Sequence, residues 1–171
     1  MCKTQWVACL DALEVFLELY PAVVRTFEVI SEGSSEGWNA ESCRAAESLL
    51  ICITKFEFVI SFIVAKECLL YIRVITTSLQ KRAKNICEVY AEVSTALDAL
   101  QDVRKTINAK HKIWHDAAVN LGQKVNASEP QLPRQRAIQQ RSNTPGNTPE
   151  EYYRHIISIP FLDTLLSHLQ S

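Results

Sequence analysis

Apolar residues recur along the first part of the chain at Trp6, Leu10, Leu13, Leu17, Tyr20, Val24 and Phe27. The alternating steps of four and three place them on one side of a helix. Pro21 falls inside this run. It has no amide hydrogen and its ring collides with the preceding turn, so a kink or break is predicted near it. The polar, glycine-containing stretch from Ser31 to Trp38 reads as a loop. A second helix is expected after Asn39, leading into a long apolar pattern through Leu49, Ile53, Phe56, Ile60, Ile63, Tyr71, Ile75 and Leu79. Phe58, Val59, Phe62, Leu69 and Ile72 fill its opposite side, and a helix apolar nearly all round belongs in a core. Helical spacing resumes at Ile86, Tyr90, Val93, Leu97, Leu100 and Ile107 and continues through Trp114, Ala118, Leu121 and Val125. This is one very long helix or two with a break near Asn108, and Gly122 is a candidate C-cap.

From Asn126 to Asn147 the apolar period is lost and Pro, Gln and Arg dominate, which reads as a mobile loop. The next helix has a clear start. Thr148 suits an N-cap, Pro149 the first helical position, and Glu151 the reciprocal position of a capping box. Pro160 must kink or restart that helix. No stretch alternates as a strand does. The fold class is therefore all-α, organised as a helical domain over 1–125, a flexible Arg/Pro/Gln-rich loop over 126–147 and a C-terminal helix over 148–171 kinked near 160.

Composition narrows the functions open to such a chain. At 171 residues and 47% apolar it can bury a real core. A net charge of −1 gives no global field of the kind that marks a nucleic-acid binder. Charge is unevenly spread, however: from Pro130 to Pro149 there are three arginines, Arg134, Arg136 and Arg141, and no acid. Such a loop either contacts phosphates or is a solvated linker. The six cysteines form no C-x-x-C pair and read as reduced, buried thiols, with no secretory leader and no glycosylation expected at Asn126-Ala127-Ser128. The greasy Leu49–Leu79 region is interrupted by charges, and its longest uncharged stretch, Phe58–Ala65, is far short of the roughly 20 residues of a membrane span.

Catalytic signatures are sparse. The glycines fit no phosphate-binding loop, and there is no G-x-S-x-G nucleophile elbow. His111 and His115 stand one helical turn apart, but Lys112, Ile113 and Trp114 lie between them where a zinc protease has its glutamate. They are expected to be solvated, and no metal or cofactor is assigned. Cys2 and Cys9 lack the partners to complete a zinc site. Tyr152 and Tyr153 diverge by about 100° on a helix, so one at most should point into the core. Glu57, between Phe56 and Phe58, reads as a salt-bridged core carboxylate.

Two blocks resemble a known family. The first is Thr4-Gln5-Trp6-Val7-Ala8 followed by Asp11-Ala12-Leu13. The second runs from Gln140-Arg141-Ser142-Asn143 through Pro149-Glu150-Glu151-Tyr152-Tyr153-Arg154 to Ile159-Pro160-Phe161-Leu162-Asp163, with Lys55-Phe56-Glu57-Phe58 and Ser78-Leu79-Gln80 between. In this order they resemble the helical insertion region of hAT-superfamily DNA transposases, especially the transposase-derived zinc-finger MYM-type proteins and the THAP-type repressors of the inhibitor of the protein kinase. The resemblance implies an insertion into an RNase H-like domain whose metal-binding acids lie outside these residues. It matches Trp6 to a tryptophan that organises the DNA end, although Gln5 replaces the usual arginine before it. The implied protein is nuclear rather than secreted. This chain would be a catalytically incomplete part of it, with no cofactor and no small-molecule substrate. Weak DNA contact would fall to Trp6, Arg134, Arg136 and Arg141, alongside self-association or packing on the transposase core. The alternative is a helical protein–protein interaction module with no DNA role, in which Ile86–Val125 binds a partner helix.

Overall fold

The computed structural model describes residues 5–33, 37–79, 86–133 and 146–170. Throughout these it is all-α, with no strand among the described residues. Helix α1 runs from Gln5 to Glu32 and contains Pro21, so of the kink or break expected there the break does not occur. Flanking side chains explain why the helix survives the missing hydrogen bond. Tyr20 and Val24 are both buried, and the Tyr20 hydroxyl donates to the carbonyl of Ile53. Packing on both sides of the proline holds a turn that propensity alone would open. Arg73 then ties α1 to the third helix, with its guanidinium 2.7 Å from Asp11 and 3.0 Å from Glu14. These groups are part-exposed, so each pair contributes only about 0–1 kcal/mol.

Helix α2 spans Ala40–Ile53 and is capped by Asn39, whose side-chain oxygen accepts the Ser42 N–H at 2.7 Å. Helix α3 spans Phe56–Leu79. The hydrophobic pattern crosses the junction between them without interruption, yet the two helices bend by 66° there. A distant residue stabilises the corner. The Ser128 N–H donates to the Thr54 carbonyl at 2.8 Å, and the Ser128 hydroxyl accepts the Phe56 N–H at 3.0 Å. Two backbone groups freed by the bend are thus satisfied by Ser128, 72 residues after Phe56. No single described helix is long and apolar enough to cross a membrane.

Helix α3 lies at the centre, in contact with α1, α2 and the later helices. Phe56, Val59, Ile60, Ile63, Val64 and Cys68 are its buried face. Of the charges within it, Lys66 pairs with Glu67 at 2.7 Å. Glu57 is exposed and is not the core carboxylate expected. Among the cysteines whose side chains are described only Cys68 is buried, which pushes its thiol up to about 12; Cys43 is half-buried, and Cys52 and Cys87 are exposed.

Helix α4, Ile86–Lys105, and helix α5, Ile107–Lys124, are separate, with the interruption at Thr106, near Asn108 as the second alternative expects. The Thr106 hydroxyl donates to the Asp102 carbonyl at 2.8 Å, a local bond that competes with helix continuation. Gly122 is not the C-cap. Helix α5 continues to Lys124, the left-handed residue is Asn126 with φ 51°, and the Ala127 N–H reaches the Gly122 carbonyl at 2.9 Å. That six-to-one closure is a Schellman motif. The chain beyond it, up to Pro133, is irregular and hydrogen-bonded through Ser128 and Gln131, and residues 134–145 of the loop expected over 126–147 lie outside the described residues.

The C-terminal segment returns across α3, α4 and α5. It comprises α6 at Pro149–Tyr153, a π-helical turn at Arg154–Ser158, and α7 at Ile159–Gln170. Thr148 is the N-cap, its hydroxyl accepting the Glu151 N–H at 3.2 Å. The Glu151 carboxylate reaches back one residue further than a standard capping box, to the Asn147 N–H at 2.8 Å. Thr148→Ala removes this cap and should cost about 1 kcal/mol. A chemical denaturation curve measures it, and an unchanged midpoint would show that the cap bond contributes nothing. The π turn answers the problem that Pro160 poses. Its wider ring of bonds, from the Ile159 N–H to the Arg154 carbonyl, accommodates the residue that has no N–H to give.

Candidate functional site

Trp6 sits in the first turn of α1, with its side chain outside the described atoms. Arg134, Arg136 and Arg141 also lie outside the described residues. The expected DNA contact at these four positions thus lies outside the described side chains. What it does assemble is a buried polar cluster where the C-terminal segment meets α5.

Helix α5 buries Ile107, His111, Trp114, Ala118 and Gly122. This is one continuous stripe at helical spacing, and His111 occupies a core position in it. The histidine is 0% exposed, so it is not the solvated side chain expected from its lysine-rich neighbours. Its Nδ1 lies 2.7 Å from the hydroxyl of Ser158, also 0% exposed, on the π turn. The π turn is what brings Ser158 there. Tyr153, Ser158 and Leu162 are buried at intervals of five and four, whereas uninterrupted α-geometry from Tyr153 would turn Ile156 or Ile157 inward. Ile156 instead remains 38% exposed.

On the other edge of the ring, Nε2 stands 3.9 Å from Glu150, beyond hydrogen-bond reach and with no partner. Glu150 is held by Arg154 at 3.2 Å, one turn along. The His115 ring packs on Phe56 with centroids 5.4 Å apart, and its Nε2 is likewise buried without a partner. Phe56 in turn meets the Tyr153 ring at 5.1 Å. Tyr153 is the inward member of the tyrosine pair; its hydroxyl donates to the Gln131 carbonyl at 3.2 Å.

Burial dominates the electrostatics. It pushes His111 down to about 4, with help from the neighbouring His115, and it lowers His115 too. Both imidazoles are neutral at neutral pH. With the ring neutral, Nδ1 and the Ser158 hydroxyl share one hydrogen bond whose donor is set by the tautomer. Glu150, His111 and Ser158 stand in the order of a hydrolase triad, but both His111 and Ser158 are sealed from solvent and no substrate can reach them. Among the described residues no three His, Cys, Asp or Glu side chains converge on a common metal position. The cluster is an internal joint between α5 and the returning segment.

No family model and no solved structure matches the chain. It is 25% identical over 171 residues to the 52 kDa repressor of the inhibitor of the protein kinase of Mus musculus, a match covering 99% of this chain and 23% of that protein. The Homo sapiens protein of the same name is 25% identical over 170 residues, covering 99% of this chain and 22% of that protein. The chain thus has a distant likeness, from one end to the other, to a segment less than a quarter the length of these repressors.

Proposed function

We propose that this chain is the helical insertion region of a hAT-type, transposase-derived protein, catalytically incomplete within these residues and making weak contact with DNA. The observation that supports this most is the likeness to the repressors over 99% of the chain, combined with an all-α fold. The returning segment fits the reading. An inserted domain must bring its chain back, and Pro149–Gln170 packs across α3, α4 and α5. Metal-dependent phosphoryl transfer needs several carboxylates around its ions. In this reading those acids, and the zinc finger and dimerisation segment of such proteins, belong to other parts of the polypeptide. Trp6, Arg134, Arg136 and Arg141 make the DNA contact, and the setting is the nucleus. With Mg2+ or Mn2+ and a labelled hairpin-ended duplex, the chain should leave the DNA intact. Strand cleavage that co-purifies with it and stops on chelation would overturn the incomplete-enzyme reading.

A second reading has one observation in its favour. Between α3 and α4 lies a groove of about 420 Å3 walled by Leu70, Tyr71, Ala96 and Ala99, with Glu67 and Glu92 beside them. An apolar groove between helices suits a partner helix. The chain would then be an interaction module with no DNA role.

A further inference from the structure

We propose that the buried contact between His111 on α5 and Ser158 on the π turn is a proton-operated latch, whose opening frees Pro149–Gln170 from the α3–α5 face while the first five helices stay folded. The reasoning starts from the geometry. His111 and Ser158 are the two fully buried polar side chains at this junction, and they bond to each other across 47 residues. The protonated ring carries a hydrogen on both nitrogens, and Nε2 has no partner at hydrogen-bond distance. The one carboxylate facing it, Glu150, is 3.9 Å away and already engaged by Arg154 at 3.2 Å.

The charges on every packed element agree. On α5 itself His115 opposes a proton on His111, and Asp116 acts on His115 rather than on His111. On the returning segment Arg154 and His155 oppose it, and the Glu150 backbone, rather than its carboxylate, favours it. From α3 come Phe56, against His115, and Glu57, which acts on the Tyr153 hydroxyl. The charges of α4 next to the junction are spent elsewhere: Arg104 on Asp163 at 2.7 Å and Lys105 on Asp102 at 3.0 Å. Protonation therefore meets a buried site beside the Arg154 cation, where the nearest carboxylate is already paired and only the Glu150 backbone favours the charge.

The sign follows from linkage. With the segment docked, His111 titrates at about 4. Once the segment lifts, the exposed ring returns to its ordinary value near 6.5. A depressed docked-state value means docking is fully favoured above about 6.5 and loses ground as pH falls towards 4. From pH 7 to pH 5 the ratio of open to docked segment rises roughly twentyfold from His111 alone. His115, also lowered by burial, adds in the same direction.

Hydrogen–deuterium exchange of the whole chain at pH 7 and pH 5, corrected for intrinsic amide rates, tests this. Peptides from Pro149–Gln170 should open on the order of 20-fold more at pH 5, with peptides from α3 unchanged. His111→Asn keeps a side-chain N–H for Ser158 and cannot titrate, so it should remove most of the pH response. His111→Gln is the second variant should the first not fold, and His115→Gln should retain the response. An equal response in His111→Asn or His111→Gln would overturn the latch. So would simultaneous opening of α3, or no change between the two pH values.

Discussion

Phe56→Ala should be the most damaging single truncation on the return-segment side of the core, lowering stability by about 3–5 kcal/mol. Three roles meet in this residue. Its side chain is 1% exposed. Its ring fills the space between His115 at 5.4 Å and Tyr153 at 5.1 Å, so its removal leaves a void bounded by α3, α5 and α6 together. Its backbone begins α3 at the bend that Ser128 stabilises. A domain with about 5–15 kcal/mol in total would lose a large share. Urea denaturation followed by circular dichroism is the measurement, and a loss under about 1 kcal/mol would mean that the two aromatic contacts do not hold the returning segment.

Gly146→Ala should be the second, with a cost of about 2–3 kcal/mol concentrated at the start of α6. Gly146 has φ 97°, a backbone conformation that L side chains rarely adopt. A Cβ there would also stand 2.7 Å from the Glu151 Cβ and 2.9 Å from the Tyr152 backbone nitrogen. No rotamer change relieves a collision with backbone, so the loop must move away from the helix it caps. Moving it also strains the Asn147–Glu151 bond. Thermal melting compared with Gly37→Ala is informative. Gly37 also has positive φ, at 73°, but an added Cβ meets nothing within 4 Å, so the excess loss at Gly146 reports the contact. Equal losses at the two sites would show that φ alone sets the cost.

Much of this architecture is legible in the residues themselves. The stripe from Leu10 to Phe27 does face the core, with Leu10, Tyr20 and Val24 buried. The Thr148 cap acts as expected, and the helix expected after Asn39 does start there. What escapes a linear reading depends on distant partners. The α2–α3 bend falls inside an unbroken apolar pattern because Ser128, far along the chain, satisfies its backbone groups. Helix α1 runs through Pro21 because packing outweighs the local penalty. His111 had a visible signal: it sits four after Ile107 and three before Trp114, in the one core slot where the stripe is not apolar. Its charged sequence neighbours obscured that. Ser158 had none, since its burial depends on the π turn that Pro160 accompanies, and a residue count at α-helical spacing places it elsewhere. The candidate site is thus less legible than the fold. The three arginines expected to touch DNA stand in residues the structure does not describe.

Fluorescence anisotropy of a labelled DNA duplex titrated with the chain at low and at moderate salt tests the central proposal most directly. Contact through Arg134, Arg136 and Arg141 predicts weak binding that falls steeply with salt, because each neutralised phosphate releases counterions. It also predicts loss of that binding in the triple Arg→Ala variant with helicity unchanged. No binding at low salt, or binding indifferent to both salt and the three arginines, would contradict the DNA-contacting reading and leave the groove between α3 and α4 as the surface that explains the chain.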